Sequence, residues 1–316
     1  MKTILITGGA GFIGSHLCQR LAKNNRLICV DNLISGNRKN IKNLERNKNF
    51  RFIKHDIIRP LKIKEKIDEI YNLACPASPA DFPKFPIEIL LTSSIGVKNM
   101  LDLAVKQKAK FLHTSTSEVY GDPKVHPQKE TYWGNVNPIG PRSCYDEGKR
   151  FAESLIENYR KKYNLETKIV RVFNTYGPKM RLDDGRVISN FITQALKGKD
   201  LTVNGNGTQT RSFCYINDMV EGIIEMMKSR EIGPINLGNP DEYKILDLAR
   251  KIIVLTGSKS KITFRPLPAD DPTRRKPDIT LAKKNLGWKP KVSLEEGLSK
   301  TIEYFKEILL NLSSQL

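Results

Sequence analysis

The chain has 316 residues, of which 39% are hydrophobic and 28% charged, as in a globular protein large enough for one α/β unit or two fused lobes. No apolar stretch approaches the ~18 residues of a membrane-spanning helix. The apolar run at residues 4–6 is also shorter than the ~7 to 15 residues at the core of a signal peptide, so we interpret it as a first strand.

Charge and cysteine content restrict the partners and the compartment. The net charge of +19 is compatible with nucleic-acid binding, but the basic residues are dispersed and no RNA-binding aromatic signature accompanies them. We expect a solvated Lys-rich surface, or a field that attracts an anionic small substrate, and no nucleic-acid or membrane partner. The cysteines are odd in number and form no Cys-x-x-Cys pair, which predicts a cytoplasmic protein without a disulfide framework or a metal site. They are Cys18, Cys29, Cys75, Cys144 and Cys214.

The first half of the chain alternates short apolar runs with segments of helical length. This alternation predicts βαβ units and therefore a Rossmann-type doubly wound parallel sheet. The clearest helices are expected at about 12–24 and at 144–162, whereas four prolines predict an ordered loop at 76–86. The expected strands are 3–7, 26–31, 50–56, 69–74, 110–116 and 167–174.

The second half has shorter helices and more frequent glycine and proline, beginning after Asn174. We interpret residues 1–173 as a cofactor-binding domain and residues 174–316 as mainly a smaller, discontinuous α/β lobe for substrate. A segment at about 212–232 is expected to return to the first domain.

A glycine-rich turn follows the first strand. Gly8, Gly11 and Gly14 allow a tight turn, close approach of a pyrophosphate and close packing of the next helix, whose N-terminus favours phosphate. Asp31 ends the second strand and is placed to bind the adenosine ribose hydroxyls, so NAD is favoured over NADP. Arg38 and Lys39 lie nearby in the sequence and would weaken this preference for NAD.

Tyr145 and Lys149 are four residues apart in the helix predicted at 144–162 and therefore share one face. A Lys ammonium beside a phenol favours the phenolate, so we expect the pKa of Tyr145 to fall below about 10. Such a tyrosine can remove a hydroxyl proton while a hydride leaves the same carbon. Although this spacing also arises by chance in helices, the combination with the glycine turn resembles the extended short-chain dehydrogenase/reductase family. In that family Thr116 would complete the catalytic set.

The triplet Thr116-Ser117-Glu118 separates the branches of this family. Epimerases typically carry small neutral residues beside the catalytic Ser or Thr, and 4,6-dehydratases carry Asp-Glu. Here Ser117 stands in place of the dehydratase Asp, which would repel a substrate carboxylate. Long segments at 73–79, 115–150, 174–180, 184–192 and 270–279 resemble the UDP-glucuronate decarboxylase (UDP-xylose synthase) branch, and the resemblance covers essentially the whole chain.

The resemblance implies a redox-neutral decarboxylation of UDP-glucuronate to UDP-xylose with tightly bound NAD. Tyr145 would take the C4 hydroxyl proton, and the 4-ketone would allow loss of CO₂ from the neighbouring carbon. Ser117 and Glu118 would manage the carboxylate and the protonation of C5, and Arg275 would orient the carboxylate by a charge-assisted fork. The branch also implies a homodimer formed through helices at about 88–106 and 144–162.

The resemblance assigns further residues to the two ligands. Asn174 and Arg211 would hold the UDP diphosphate. The sequence departs from the branch at Asn204, where a Tyr is usual near the uracil, and at Leu91 and Ser93, where Lys and Asn are frequent. The cofactor-binding set is Gly8, Gly11, Phe12, Ile13, Gly14, Asp31, Asn32, Ser35, Gly36, Asp56, Ile57, Leu73, Cys75, Thr114, Tyr145, Lys149, Thr175 and Arg186. The substrate-binding set is Ser117, Glu118, Asn174, Ile188, Asn190, Thr202, Asn204, Gln209, Arg211 and Arg275.

Two other functions remain open from the sequence. An oxidative UDP-glucuronate decarboxylase, which releases a UDP-4-keto-pentose and NADH, would use the same triplet and arginine. A non-catalytic NAD-binding or polyanion-binding protein would exploit the net charge of +19, although it would need neither Tyr145 nor Lys149 nor Glu118.

Overall fold

A computed structural model describes residues 1–267, 270, 272 and 274–313. Its centre is a sheet of seven strands, every adjacent pair of which is parallel. The doubly wound parallel sheet predicted from the sequence is confirmed. In chain order its strands are β1 (Thr3–Thr7), β2 (Arg26–Asp31), β3 (Phe50–Lys54), β4 (Glu69–Asn72), β5 (Lys110–Thr116), β6 (Thr167–Val172) and β11 (Ile235–Leu237). Their spatial order is β11-β6-β5-β4-β1-β2-β3.

Helices cover both faces of this sheet. In chain order the α-helices of the described residues, some of which pack on the smaller sheets instead, are α1 (Phe12–Leu21), α2 (Pro86–Leu91), α3 (Val97–Gln107), α4 (Ser143–Tyr163), α5 (Val187–Leu196), α6 (Ile216–Lys228), α7 (Ile245–Thr256), α8 (Thr280–Leu286) and α9 (Leu294–Ser313). Short helical segments of other types occupy Arg38–Leu44, Thr92–Gly96 and Ser117–Tyr120. Among the described residues, no helix combines the length and the apolar character that crossing a membrane requires.

Alternation of side chains along β1 explains the two layers. Ile4 and Ile6 pack in one core with residues of α1 and α6, whereas Leu5 points to the opposite core with residues of α3 and α4. Because both faces are covered, the strand is an unbroken apolar run rather than an alternating one.

The structure refines the predicted boundaries. Helix α1 ends at Leu21, earlier than the expected residue 24, while α4 extends one residue beyond each expected end. The proline-rich segment forms turns and gives way to α2, whose first residue is Pro86, a favourable position for proline. The region expected as one helix at 88–106 consists of α2, a π-helical turn and α3.

The second half forms small sheets beside the large one. They contain β7 (Thr175–Tyr176) with β10 (Cys214–Tyr215), β8 (Leu201–Asn204) with β13 (Ile262–Arg265), and β9 (Thr210–Ser212) between β12 (Glu242–Lys244) and β14 (Arg274–Arg275). The seventh strand of the large sheet, β11, comes from this half and lies just beyond the expected returning segment. The domain division at residue 173 remains a prediction.

Candidate active site

A cavity of about 470 Å³ opens at the carboxyl ends of the parallel strands. Gly8, Asp31, Leu73, Thr116 and Phe173 line it from the ends of five different strands. In doubly wound sheets, ligands bind at this edge, where the strand order reverses. Every residue assigned above to cofactor binding or catalysis lines this one cavity.

The glycine turn forms a cradle that has no room for side chains. Gly8 has a φ of +68°, and a Cβ atom there would lie 2.8 Å from the backbone nitrogen of Ala74. A Cβ atom on Gly14 would lie 2.1 Å from the carbonyl oxygen of Gly8. Helix α1 begins here without a side-chain cap, and its first residues, Phe12 and Ile13, line the cavity. The cradle therefore fits the pyrophosphate of a dinucleotide.

Asp31 is held at the other end of this cradle. Its carboxylate accepts hydrogen bonds from the backbone N–H groups of Ala10, at 3.0 Å, and Leu33, at 2.8 Å. Burial raises the pKa of Asp31, and these two hydrogen bonds oppose the rise. Each oxygen retains a lone pair for a ribose hydroxyl. Arg38 bonds Glu45 at 2.7 Å and covers the Phe52 ring, so its charge is paired outside the cavity lining.

Thr116, Tyr145 and Lys149 converge from strand β5 and helix α4. The Lys149 Nζ donates a 2.8 Å hydrogen bond to the Thr114 carbonyl and lies 5.8 Å from the centre of the Tyr145 ring. All three side chains are buried, and Phe82 stacks against the Tyr145 ring at 5.1 Å. The cavity thus brings the predicted hydroxyl, phenol and ammonium to one place.

The expected lowering of the Tyr145 pKa is not found in the protein alone. Burial raises the pKa of Tyr145 above its usual range, and a hydrogen bond with the Thr116 side chain only partly opposes this effect. Burial also lowers the pKa of Lys149. The four-residue spacing indicates an attraction between the two groups, but the cost of removing both from water is larger here.

Glu118 lies between two arginines. Its Oε2 is 2.5 Å from Nη2 of Arg142, and its Oε1 is 3.2 Å from Nη1 of Arg275. Burial would raise the pKa of Glu118, but the charges of Arg275 and Arg142 outweigh this and lower the pKa to about 2. Glu118 is therefore ionised and accepts hydrogen bonds, so it has no proton of its own to donate to a substrate carbon at neutral pH.

Arg275 was expected to orient the substrate carboxylate, but its guanidinium mainly contacts the protein itself. It is almost fully buried, and its terminal nitrogens donate to the carbonyls of Ser117 and, at 2.9 Å, Gly121. The guanidinium therefore ties strand β14 to the turn at Ser117–Tyr120, which carries Glu118. We expected the Arg275 guanidinium to bind a substrate carboxylate. Instead, its two terminal nitrogens donate to backbone carbonyls of this turn and of Gly121.

The substrate-binding residues also line the cavity, with one exception. Thr202 lies outside the lining, and its N–H and hydroxyl contact the Gln194 side chain at 3.1 and 3.2 Å. Thr202 was assigned from the resemblance; on strand β8 it shares a face with Asn204, but the Gln194 side chain occupies its polar groups. Asn204 does line the cavity, with its carbonyl accepting a bond from Gln209 at 2.6 Å. The lining residues are Ser117, Glu118, Asn174, Ile188, Asn190, Asn204, Gln209, Arg211 and Arg275.

Arg142 was not predicted as a site residue, but it lines the cavity three residues before Tyr145. Two further lining residues were also not predicted: Lys179, whose Nζ donates to the carbonyl of Asn40 at 2.8 Å, and Arg181, which pairs with Asp81 at 2.8 Å. The signal available for Arg142 and Lys179 was their position inside the segments 115–150 and 174–180 that resemble one branch, and Arg181 lies one residue beyond the second of these.

Known proteins resemble this chain over most of its length. Residues 5–301 match the model of a family described as GDP-mannose 4,6 dehydratase. UDP-glucuronic acid decarboxylase 4 of Arabidopsis thaliana is 52% identical over 305 residues, which are 96% of this chain and 68% of that protein. UDP-glucuronic acid decarboxylase 1 of Xenopus tropicalis is 53% identical over 309 residues, 98% of this chain and 73% of that protein.

A solved structure shares the fold and the arrangement of both halves. The UDP-glucuronic acid 4-epimerase of Bacillus cereus, in complex with UDP-glucuronic acid and NAD, superposes with a TM-score of 0.88 at 33% identity. The match covers 97% of this chain and 99% of that one. The chain belongs to the extended short-chain dehydrogenase/reductase family and, within it, to the UDP-glucuronic acid decarboxylases.

Proposed function

We propose that this protein converts UDP-glucuronate to UDP-xylose and CO₂, and that tightly bound NAD is regenerated within each cycle. The observation that carries the proposal is the meeting of Thr116, Tyr145 and Lys149 with a Glu118–arginine cluster inside one cavity. The first three supply proton transfer at a sugar hydroxyl, and the cluster supplies positive charge for a carboxylate. Relatives named UDP-glucuronic acid decarboxylase support the same substrate.

The cavity fits NAD through its glycine cradle and Asp31. The turn at Gly8–Gly14 would hold the pyrophosphate at the N-terminus of α1, and Asp31 would accept hydrogen bonds from the adenosine ribose. Lys149, which uses one of its three protons on Thr114, has donors left for the second ribose. When bound, NAD supplies the hydride acceptor for C4 of the sugar and returns that hydride after CO₂ is lost.

Tyr145 would act as the base at C4. Its phenolate takes the proton of the C4 hydroxyl as the C4–H bond breaks, and the same proton returns when the ketone is reduced. Thr116 would orient the hydroxyl, since it already interacts with Tyr145. Because burial keeps the phenol protonated in the protein alone, the phenolate depends on positive charge that arrives with the ligands.

The arginine cluster would act at the second step. The carboxylate lies β to the C4 ketone, so the C–C bond electrons pass into the ketone as an enolate when CO₂ leaves. Glu118 holds the two guanidinium groups, at 2.5 and 3.2 Å, and their charges keep its pKa low in the protein alone. C5 is then protonated, and Ser117, which is buried next to Glu118 in the sequence, would direct a water molecule to that carbon.

Incubation with UDP-glucuronate tests the proposal and separates it from its nearest rival. We expect UDP-xylose by NMR, with almost no accumulation of NADH absorbance, and substrate deuterated at C4 should keep its label. Stoichiometric NADH with a 4-keto pentose would instead establish the oxidative decarboxylase. Absence of any product, together with retained binding of NAD, would favour the non-catalytic NAD-binding alternative.

We also propose a homodimer through α2, α3 and α4. Three apolar side chains on these helices and the turn between them, Ile87, Ile95 and Phe151, are 60%, 45% and 52% exposed. Such exposure on packed neighbouring helices is typical of a covered surface. Sedimentation should give a dimer for the wild-type protein and a monomer for Phe151→Asp, whereas an unchanged dimer in this variant would place the interface elsewhere.

A further inference from the structure

Tyr120 is the last residue of the turn at Ser117–Tyr120, and it lies outside the cavity lining. Its side chain is fully buried. Its hydroxyl donates a hydrogen bond to Oδ1 of Asn236 at 2.8 Å and accepts one from Nη1 of Arg171 at 2.9 Å. Burial raises the pKa of Tyr120 to about 12, so the phenol keeps the proton that it donates. One buried hydroxyl therefore connects this turn to two strands, β6 through Arg171 and β11 through Asn236.

The arginine side of this connection leads to the catalytic helix. Arg171 binds the Glu153 carboxylate through two hydrogen bonds, at 2.9 and 2.7 Å, and its guanidinium lies 4.8 Å from the centre of the Tyr120 ring. Glu153 lies on α4, one helical turn after Lys149, and it also accepts a 2.6 Å hydrogen bond from the Ser115 hydroxyl. Because Ser115 is the penultimate residue of β5, Glu153 joins the two elements that carry the proposed base and its partners.

The asparagine side of the connection leads to the second half of the chain. Nδ2 of Asn236 donates to the carbonyls of Gln128 and Asp278, at 3.0 and 3.1 Å. Asp278 lies three residues after Arg275, whose guanidinium also binds the turn. The second half therefore holds the turn at two points, through Arg275 and through the Tyr120 hydroxyl. A buried network whose donors and acceptors are paired in this way keeps its members in one arrangement.

We propose that Tyr120 is a positioning residue whose hydroxyl fixes the turn carrying Ser117 and Glu118, and that it acts on the loss of CO₂ and the protonation of C5 more than on hydride transfer, an inference that rests on the proposed function. Ser117 and Glu118 are the residues assigned above to those later steps. The groups assigned to hydride transfer are held by other contacts, since Lys149 Nζ bonds the Thr114 carbonyl at 2.8 Å. A displaced turn would therefore impair the later steps first.

Tyr120→Phe removes the hydroxyl and keeps the ring, and the NAD-loaded variant can be mixed with excess UDP-glucuronate in a stopped-flow instrument. We expect UDP-xylose formation to slow about 10- to 100-fold, the range expected for loss of a hydrogen bond to a charged group. Because hydride removal continues, NADH absorbance should rise before UDP-xylose appears, whereas the wild-type protein should show almost none. Hydrogen–deuterium exchange should become faster at 117–121, where the Gly121 N–H bonds the Glu118 carbonyl at 2.9 Å, and stay unchanged at 145–149.

Two further variants separate the hydroxyl from the packing of the ring. Tyr132→Phe is the matched control, because the Tyr132 ring packs against that of Tyr120 at 6.0 Å while its hydroxyl accepts from the exposed Lys124 N–H at 3.1 Å. This variant should behave like the wild type. Arg171→Lys keeps a charge beside Glu153 but lacks the fork that reaches Glu153 and Tyr120 together, so it should raise NADH accumulation and exchange in the same direction. It tests the same connection if Tyr120→Phe does not fold.

The contrary results are equally specific. A folded Tyr120→Phe protein that forms UDP-xylose at the wild-type rate would overturn the inference, and so would a slow one in which no NADH accumulates. Equal effects of Tyr132→Phe would assign the change to ring packing, and an Arg171→Lys protein like the wild type would show that the turn does not depend on this connection. A wild-type protein that forms no UDP-xylose would instead refute the proposed function, while exchange at 117–121 would still report whether Tyr120 holds the turn.

Discussion

Replacing Arg275 by methionine tests whether its buried guanidinium stabilises the turn at Ser117–Tyr120. The substitution preserves much of the side-chain volume but removes the ion pair with Glu118 and both donors to the Ser117 and Gly121 carbonyls. Breaking a buried ion pair by removing one partner costs about 3 to 5 kcal/mol. Glu118 keeps Arg142, which limits the loss, while two carbonyls lose donors at about 1 kcal/mol each. We therefore expect the free energy of unfolding to fall by about 3 to 5 kcal/mol.

Urea unfolding, followed by the fluorescence of the buried Trp288, measures this change at constant NAD concentration. Arg274→Met is the matched control, because the neighbouring Arg274 on the same strand is exposed, and its loss should change stability by less than about 0.5 kcal/mol. An Arg275→Met protein within about 1 kcal/mol of wild type would refute the reasoning, since no buried pair would then have been broken.

Acid pH gives a second check on the same variant. The pKa of Glu118 in the folded protein, about 2, lies below its ordinary 4.5, so its pairing stabilises the fold above pH 4.5 and is lost as pH falls through about 2. Without Arg275 the pKa of Glu118 should be lowered less, because one of the two neighbouring positive charges is gone. The stability difference between wild type and Arg275→Met should therefore be largest near neutral pH and narrow below pH 4.5.

Three further substitutions test the residues proposed to bind NAD and the residue proposed as the base. Asp31→Ala should weaken NAD binding about 10- to 100-fold, measured by fluorescence titration, because a charged acceptor is lost; equal wild-type affinities for NAD and NADP would contradict the role of Asp31. Tyr145→Phe should reduce turnover about 10²- to 10⁴-fold with NAD retained, and near-normal turnover would identify another base. Gly14→Ala should lower the NAD content of purified protein, since its Cβ would meet the Gly8 carbonyl at 2.1 Å. Gly198→Ala, where a Cβ meets nothing within 4 Å, should leave that content unchanged.

Local sequence patterns predicted the large sheet well. Its first six strands were predicted from short runs separated by helix-length segments, and continuous apolar runs such as that of β1 are expected in a sheet buried on both faces. The seventh strand, Ile235–Leu237, was not predicted, because a run of three residues carries no period. Its place in the sheet comes from pairing with β6, which is a contact distant in sequence.

The candidate site shows the same division between local and distant information. The glycine turn and the Tyr145–Lys149 spacing are local and could be read from the chain. The contacts among Glu118, Arg142 and Arg275 join a helical turn, the start of α4 and strand β14, which are distant in sequence. An arginine before a helix resembles an ordinary surface charge until Glu118 and Phe82 are placed beside it. The shift of the Tyr145 pKa was misjudged for a related reason, since burial is not visible in a spacing pattern.

The charges at the two ends of the cavity favour one orientation of the bound ligands. Asp31 presents a buried carboxylate at one end, which suits ribose hydroxyls and disfavours an added phosphate. Arg142 and Arg275 present positive charge around Glu118 at the other end, which would suit a carboxylate. A sugar nucleotide bound in reverse would place its carboxylate near that of Asp31. Contacts between like charges are strongly unfavourable in a desolvated space. We therefore expect the polarity of the cavity to orient NAD and the sugar nucleotide so that the reacting carbon would lie beside Tyr145.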